Sequence, residues 1–214
     1  SVAGLMYFLV GYNLMYVDVS GWIGSLTLFY SASPAELALQ AGDEGALATV
    51  LEAGYTTLSD WFFQMVFVAT AASIVSGTMA ERVGLKPFLV FVVWLTGLIY
   101  PIQGACTWGG GWLAEMGFSD YAGSTIVHST GGWAALTGAI IIGARRGKYA
   151  PDGKVNPIPG ANLPLATLGT LILWMGWFGF NGASALAMDS AAALVEISQV
   201  FANTNLAAAA GVVT

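Results

Sequence analysis

Residues 121–144 read YAGSTIVHSTGGWAALTGAIIIGA, with Asp120 before them and Arg145 after. The run exceeds the roughly 20 apolar residues that cross a bilayer, and its only ionisable side chains are Tyr121 and His128, the one histidine of the chain. An imidazole at membrane depth is costly and faces a bundle interior or a wet cavity, which marks it as a functional candidate. Its readily shifted pKa also suits it to passing a proton. The plainer reading is a buried histidine hydrogen-bonded to a neighbouring helix. On a helix, residues three, four and seven apart share a face, so His128 aligns with Gly131, Ala135 and Ala139, with Ser124 and Thr125 one turn earlier. The stripe Gly131, Ala135, Ala139, Gly143 lets another helix approach closely, while Ile126, Trp133, Ile140 and Ile141 project elsewhere. His128 is therefore expected to point into protein.

The same signal recurs along the chain. Apolar runs cover Ser1–Val17, Trp61–Ala80, Phe88–Thr107 and Leu163–Ser184, and a sixth opens near Ile197. With 57% hydrophobic and 8% charged residues, the composition lies outside the soluble globular norm and predicts an all-α, polytopic transmembrane helix bundle. Both ends fall within apolar runs and the first residue is Ser1, so the sequence reads as an internal piece of a longer polytopic chain, one that would not fold or conduct alone.

Charge sets the expected orientation. The six basic residues occupy two short connections: Arg82 and Lys86, then Arg145, Arg146, Lys148 and Lys154. Ten of the twelve acids, among them Asp18, Glu36, Asp60, Glu115 and Asp120, lie on the alternate side. The positive-inside rule places loops 81–87 and 144–160 in the cytoplasm and the connection 18–60 outside. The net charge of −6 then describes an acidic outer face that concentrates cations and gives no support to nucleic-acid binding. Cys106 stands alone and forms no internal disulfide. No metal-ligand cluster or nucleophile elbow is visible, and no cofactor is called for.

Within 18–60, Ser33-Pro34-Ala35-Glu36 reads as a capping box with proline at the first helical position. Leu47, Val50 and Leu51 follow at the spacing of one helix face, and Gly42 and Gly45 predict a break between the two pieces. The segment reads as a lid or packing element. Pro101 should kink the third span and free a carbonyl. Phe63 and Phe67 are one turn apart, Ala72, Ser76 and Ala80 form a small-residue stripe, and Trp177, Phe180 and Ser184 can share a face. Aromatic residues at span ends commonly anchor the membrane interface. Trp108, followed by Gly109-Gly110-Gly111, is also placed to hold a small cation, since tryptophan is the best cation–π partner.

The segments FQMVF (63–67), AERV (80–83), TWGGG (107–111), DYAGSTIVH (120–128) and WFGFNGAS (177–184) together resemble the ammonium transporters of the Amt/Mep/Rh family, in order and across essentially all of 1–214. The resemblance implies an eleven-helix fold with an inverted repeat, of which this chain covers the end of helix two to the start of helix seven as one partial transport domain. It implies a homotrimer with a pore in each subunit. By the same resemblance the outer ammonium site falls on Trp108, Phe67 and Ser184, the stacked phenyl gate on Phe67 and Phe180, the essential acid on Asp120, and the first of two pore histidines on His128. The second histidine would lie beyond Thr214. A PII-like regulatory protein docking on the basic cytoplasmic face is a further partner the resemblance suggests.

The chemistry expected of such a site follows from cost. A cation at the bilayer centre costs from roughly 3 to above 10 kcal/mol. Ammonium can avoid this by giving up its proton, so that NH₃ crosses the apolar pore while the proton travels through His128. Asp120 either caps the fourth helix and holds the outer site together or acts on the cation directly. Three other readings are open: a neutral ammonia channel of the Rh type, an ammonium sensor coupled to a signalling partner, and a membrane enzyme using Asp120 and His128. If both residues lay on one helix they would stand about 12 Å apart, which argues against an acid–base pair. Trp108 favours the Amt branch.

Overall fold

The computed structural model describes residues 2–214. It is an all-α bundle; the described residues contain only two isolated β-bridges, Ser20 with Ile23 and Tyr149 with Val155. Two compact units are present, one ending at Gly147 and the other spanning Lys148–Thr214. In the first, α1 (Val2–Tyr16) is followed by the short helices α2 (Pro34–Gln40) and α3 (Leu47–Glu52), then α4 (Thr57–Met79). Helix α5 (85–107) and the single turn α6 (Trp112–Glu115) lead to α7 (Ser124–Ile142). In the second unit, α8 (Leu163–Gly182) ends in the 3₁₀ turn Ala183–Ala185 and is followed by α9 (Ala191–Val213).

Four helical stretches, containing α4, α5, α7 and α8, are long and apolar enough to cross a membrane. The first apolar run forms the shorter helix α1. The sixth falls within α9, which starts at Ala191, ahead of Ile197, and takes in Glu196.

Helices α4 and α7 make the main packing contact of the first unit. The buried face of α4 runs through Val68, Ala71, Val75 and Met79, a spacing of three and four that keeps one stripe inward. Ala72 is buried with it, but Ser76 is only half-buried and Ala80 is exposed, so the expected small-residue stripe of this helix is not its packing face. On α7 the small-residue stripe holds in its first half: Gly131 and Ala135 are buried, Ala139 and Gly143 half-buried. A side chain at Gly131 would press on the Ala71 carbonyl and Ile74. Such close backbone approach replaces the hydrophobic drive that lipid removes. Trp133, Ile140 and Ile141 are exposed, as their phase predicts; Ile126 is not, with 1% of its surface accessible.

The reason lies in the first turn and a half of α7. Ser124–Ser129 is a π segment, whose i→i+5 bonding changes the phase of residues before Thr130 relative to those after. Ile126 and Val127 turn inward and His128 turns outward, exposed on this chain. His128 thus lies off the face by which Gly131 and Ala135 pack on α4. Two further π segments, Tyr7–Gly11 in α1 and Leu95–Ile99 in α5, lie against each other. The second sits just before Pro101, and α5 continues to Thr107. The π turn accommodates the hydrogen bond that proline cannot make, so helix α5 continues instead of breaking. An apolar cavity of about 700 Å³ lies among α4, α5 and α7, lined in part by Val75, Phe91, Leu95 and Trp133.

The connection before α4 folds as its motif predicts. Ser33 Oγ accepts from the Glu36 amide at 3.2 Å, and Glu36 Oε2 accepts from the Ser33 amide at 2.8 Å. Glu36 also accepts from the Thr57 amide at 2.7 Å and from the Thr57 hydroxyl, which ties α2 to the first residue of α4. Gly42, at φ 96°, separates α2 from the turn leading into α3. Leu47 and Leu51 of α3 remain exposed.

Candidate functional site

Asp120 precedes α7 by four residues rather than beginning it, a correction to the helix start expected at 120–121. The chain rises into the helix through Gly123, whose φ of 95° is left-handed, a conformation open to glycine at little cost. This turn wraps the backbone around the buried Asp120 carboxylate. Oδ1 accepts from the amides of Gly123 at 2.8 Å and Ser124 at 3.0 Å; Oδ2 accepts from those of Thr125 at 2.8 Å and Ile126 at 2.9 Å. Four donors at the positive end of a helix make a strong anionic cap.

The Asp120 main chain does a second job. Trp108 Nε1 donates to the Asp120 carbonyl at 2.7 Å. The indole ring then meets Phe67 edge to face, with centroids 5.7 Å apart and planes at 88°. Phe67 is buried and packs in turn on Phe63 at 4.7 Å. Trp108 reaches this place because Gly109 lets its turn lie on α1: a Cβ at Gly109 would collide with the Met15 carbonyl. The stacked pair Trp22–Trp112 and the bond from the Trp112 amide to the Gly21 carbonyl at 2.8 Å close the other side of the turn.

His128 is linked to the same turn. Its amide donates to the Gly123 carbonyl at 2.9 Å, and Nδ1 stands 3.2 Å from that oxygen. A carbonyl only accepts, so Nδ1 is the donor of this contact. Asp120, Gly123 and His128 thus form one backbone-linked group, without a direct side-chain bond between the acid and the imidazole. Gly123 is the residue that sequence reasoning missed; its place between an acid and a helix was the available signal.

Of the six candidate residues, the structure brings together Trp108, Phe67, Asp120 and His128 in the first unit. Phe180 and Ser184 belong to the second. There, Ser184 Oγ donates to the Phe180 carbonyl at 2.8 Å, Asn181 Nδ2 donates to Thr204 Oγ1 at 2.9 Å, and Phe178 meets Phe201 edge to face at 5.7 Å. At the basic end of the first unit, Arg82 Nη1 donates to the Gly143 carbonyl at 2.8 Å, which caps α7, and Arg145 Nε pairs with Glu81 at 2.8 Å.

The fold and this arrangement define a multi-pass helical protein of the cell membrane. The profile of the Ammonium Transporter Family matches residues 1–214. The chain is 40% identical over 225 residues to the ammonium transporter Amt2 of Archaeoglobus fulgidus, covering all of this chain and 43% of that protein. It is 40% identical over 186 residues to Amt2 of Haloferax mediterranei, covering 82% of this chain and 41% of that one. Among solved structures it resembles Mep2 of Candida albicans (TM-score 0.65, 30% identity, 86% of this chain and 38% of that chain). Mep2 of Saccharomyces cerevisiae is similar (TM-score 0.65, 28% identity, 86% and 39%). The chain belongs to the Ammonium Transporter Family, and it spans less than half the length of these relatives.

Proposed function

We propose that the protein of which this chain is part conducts ammonium across the cell membrane and is not an enzyme, with 1–214 contributing one side of the transport domain. The observation that carries this reading is the Trp108–Phe67 ring pair fixed to the Asp120 carbonyl. Indole is the strongest cation–π face, and the Phe67 contact and the bond to Asp120 hold it in place. In this reading Trp108 and Phe67, joined by the Ser184 hydroxyl, hold NH₄⁺ at the outer mouth. Phe67 and Phe180 form the gate below it.

His128 then serves as proton relay. Nδ1 is held by the Gly123 carbonyl, which fixes the imidazole that takes the proton ammonium leaves behind. NH₃ follows the apolar path, and K⁺, having no proton to give, is rejected. Asp120 acts by holding the turn rather than by taking the proton: its four amide donors leave the cation no ready approach to the carboxylate. Loops 81–87 and 144–160 face the cytoplasm and 18–60 the outside, the protein assembles as a homotrimer, and a PII-like regulator docks on the basic face. The test is methylammonium uptake by cells lacking their own ammonium transporters and expressing the full-length protein. Uptake that ammonium competes away supports the reading; no uptake from a correctly inserted protein contradicts it.

A further inference from the structure

Asp60 sits in the first turn of α4, half-buried among tyrosines, and nothing in the Trp108 site uses it. The Tyr12 hydroxyl donates to its Oδ2 at 2.7 Å. The Tyr12 ring meets Tyr16 at 5.2 Å and Tyr30 at 4.7 Å, Trp61 stacks on Tyr30 at 6.2 Å, and Tyr55 lies within electrostatic reach of the same carboxylate. One turn along α4, Gln64 is buried, and its Oε1 has no hydrogen-bond partner among the described residues.

The contrast with Asp120 is informative. That carboxylate is met by four amides; Asp60 has two side-chain donors, the Tyr12 hydroxyl at 2.7 Å and the Gln64 amide. A carboxylate has about four acceptor positions, and a buried acceptor left without a donor calls for an ion or an ordered water. The Asp60 carboxylate, with acceptor positions still open, and the unpartnered Gln64 Oε1 bonded beside it have the chemistry of a small monovalent cation site: negative charge and neutral oxygen together in a pocket of tyrosines. Asp60, Gln64 and Phe67 follow one another at i, i+4 and i+7, so the acceptors share a face of α4 with Phe67, Asp60 about 10 Å and Gln64 about 4.5 Å from it by helix rise.

We infer that Asp60 and Gln64, with the rings of Tyr12, Tyr16 and Tyr30, form a second cation site that collects ammonium before it reaches Trp108 and Phe67. The choice of ammonium rests on the proposed function; the site itself does not.

Crystals of the full-length protein soaked in thallium(I), a monovalent ion of similar size, test the site directly. An anomalous peak beside Asp60 and Gln64 is expected from a thallium(I) nitrate soak, lost in Asp60→Asn, weakened in Gln64→Leu and displaced by ammonium nitrate in chloride-free solution. No peak in the wild type overturns the site, and a peak that excess ammonium leaves in place overturns its ligand. Should Asp60→Asn fail to fold, Gln64→Leu alone decides, an undiminished peak counting against the site. In transport assays Asp60→Asn should raise the half-saturating ammonium concentration about tenfold, the loss of one charged contact; an unchanged value contradicts the collecting role. A protein that binds ammonium here yet carries no ammonium would refute the transport reading and leave the site standing.

Discussion

The Trp108 indole nitrogen donates to the backbone carbonyl of Asp120 across 2.7 Å, so the ring that faces Phe67 is held by the same residue whose side chain caps α7. Movement of either end of this link moves the other. The acid therefore controls the geometry of the aromatic pair without touching it.

Replacing Asp120 by Asn puts an amide NH₂ where the carboxylate accepts backbone amides at two positions. Hydrogen bonds to a charged group are worth about 1.5–3 kcal/mol each, and the variant should lose stability by at least about 2 kcal/mol together with transport. Thermal unfolding in detergent and uptake in proteoliposomes check this. A variant as stable as the wild type but inactive would mean instead that Asp120 acts on the cation.

Gly123→Ala should damage the same turn by a different route. At φ 95° an added Cβ is strained and meets Val127, with Trp108 Cη2 3.2 Å away. A left-handed non-glycine residue costs roughly 1–2 kcal/mol before any clash. Gly110→Ala, also at positive φ (80°) but with open space around its Cβ, should cost only that strain. Denaturation midpoints of the two variants rank them; equal losses would mean that the packing around Gly123 gives way.

The Glu36 clasp should be sensitive to acid. Burial, the largest single influence, pushes its carboxyl up, but hydrogen bonds from the Thr57 hydroxyl, the Ser33 amide and hydroxyl and the Thr57 amide together outweigh it and hold the carboxyl below the ordinary value. A lowered native pKa means the clasp contributes fully above the unfolded pKa of about 4.3 and loses that contribution as pH falls through the native value. Hydrogen exchange at the Ser33 and Thr57 amides, compared above and below that window after correction for intrinsic rates, should show protection lost in acid. In Glu36→Gln it should be low throughout; pH-independent protection in the wild type would contradict the linkage.

At the basic end, Arg82→Ala should cost more stability than Glu81→Gln. Arg82 supplies a carbonyl at the end of α7 with its donor. Glu81 is largely exposed, its side chain 66% accessible, and exposed pairs contribute at most about 1 kcal/mol. Parallel unfolding curves test the ranking, and a larger loss in Glu81→Gln would reverse it.

Periodicity made the spans, the Gly131–Ala135 packing face and the Ser33–Glu36 cap legible, because each depends on residues a few positions apart. Asp120 could be seen as a capping acid for the same reason. What stayed hidden arises from backbone choices with no residue signature: the π turn that buries Ile126 and takes His128 off the face packed on α4, and the shift of the α7 start to Ser124. The Tyr12–Asp60 bond joins residues 48 apart in sequence, and no local pattern announces such a pair. The motif resemblance supplied the roles of Phe180 and Ser184, which local chemistry alone placed on one face with Trp177, the aromatic rings as interfacial anchors.

The central claim, that ammonium is stripped of its proton and the proton passes through His128, is tested most directly by current. Full-length wild type and His128→Ala are compared in proteoliposomes given ammonium or K⁺ pulses. The account predicts ammonium-specific current in the wild type, and in the variant either no current or a leak shared with K⁺. Ammonia uptake without current in the wild type, or undiminished ammonium-selective current in His128→Ala, would contradict it.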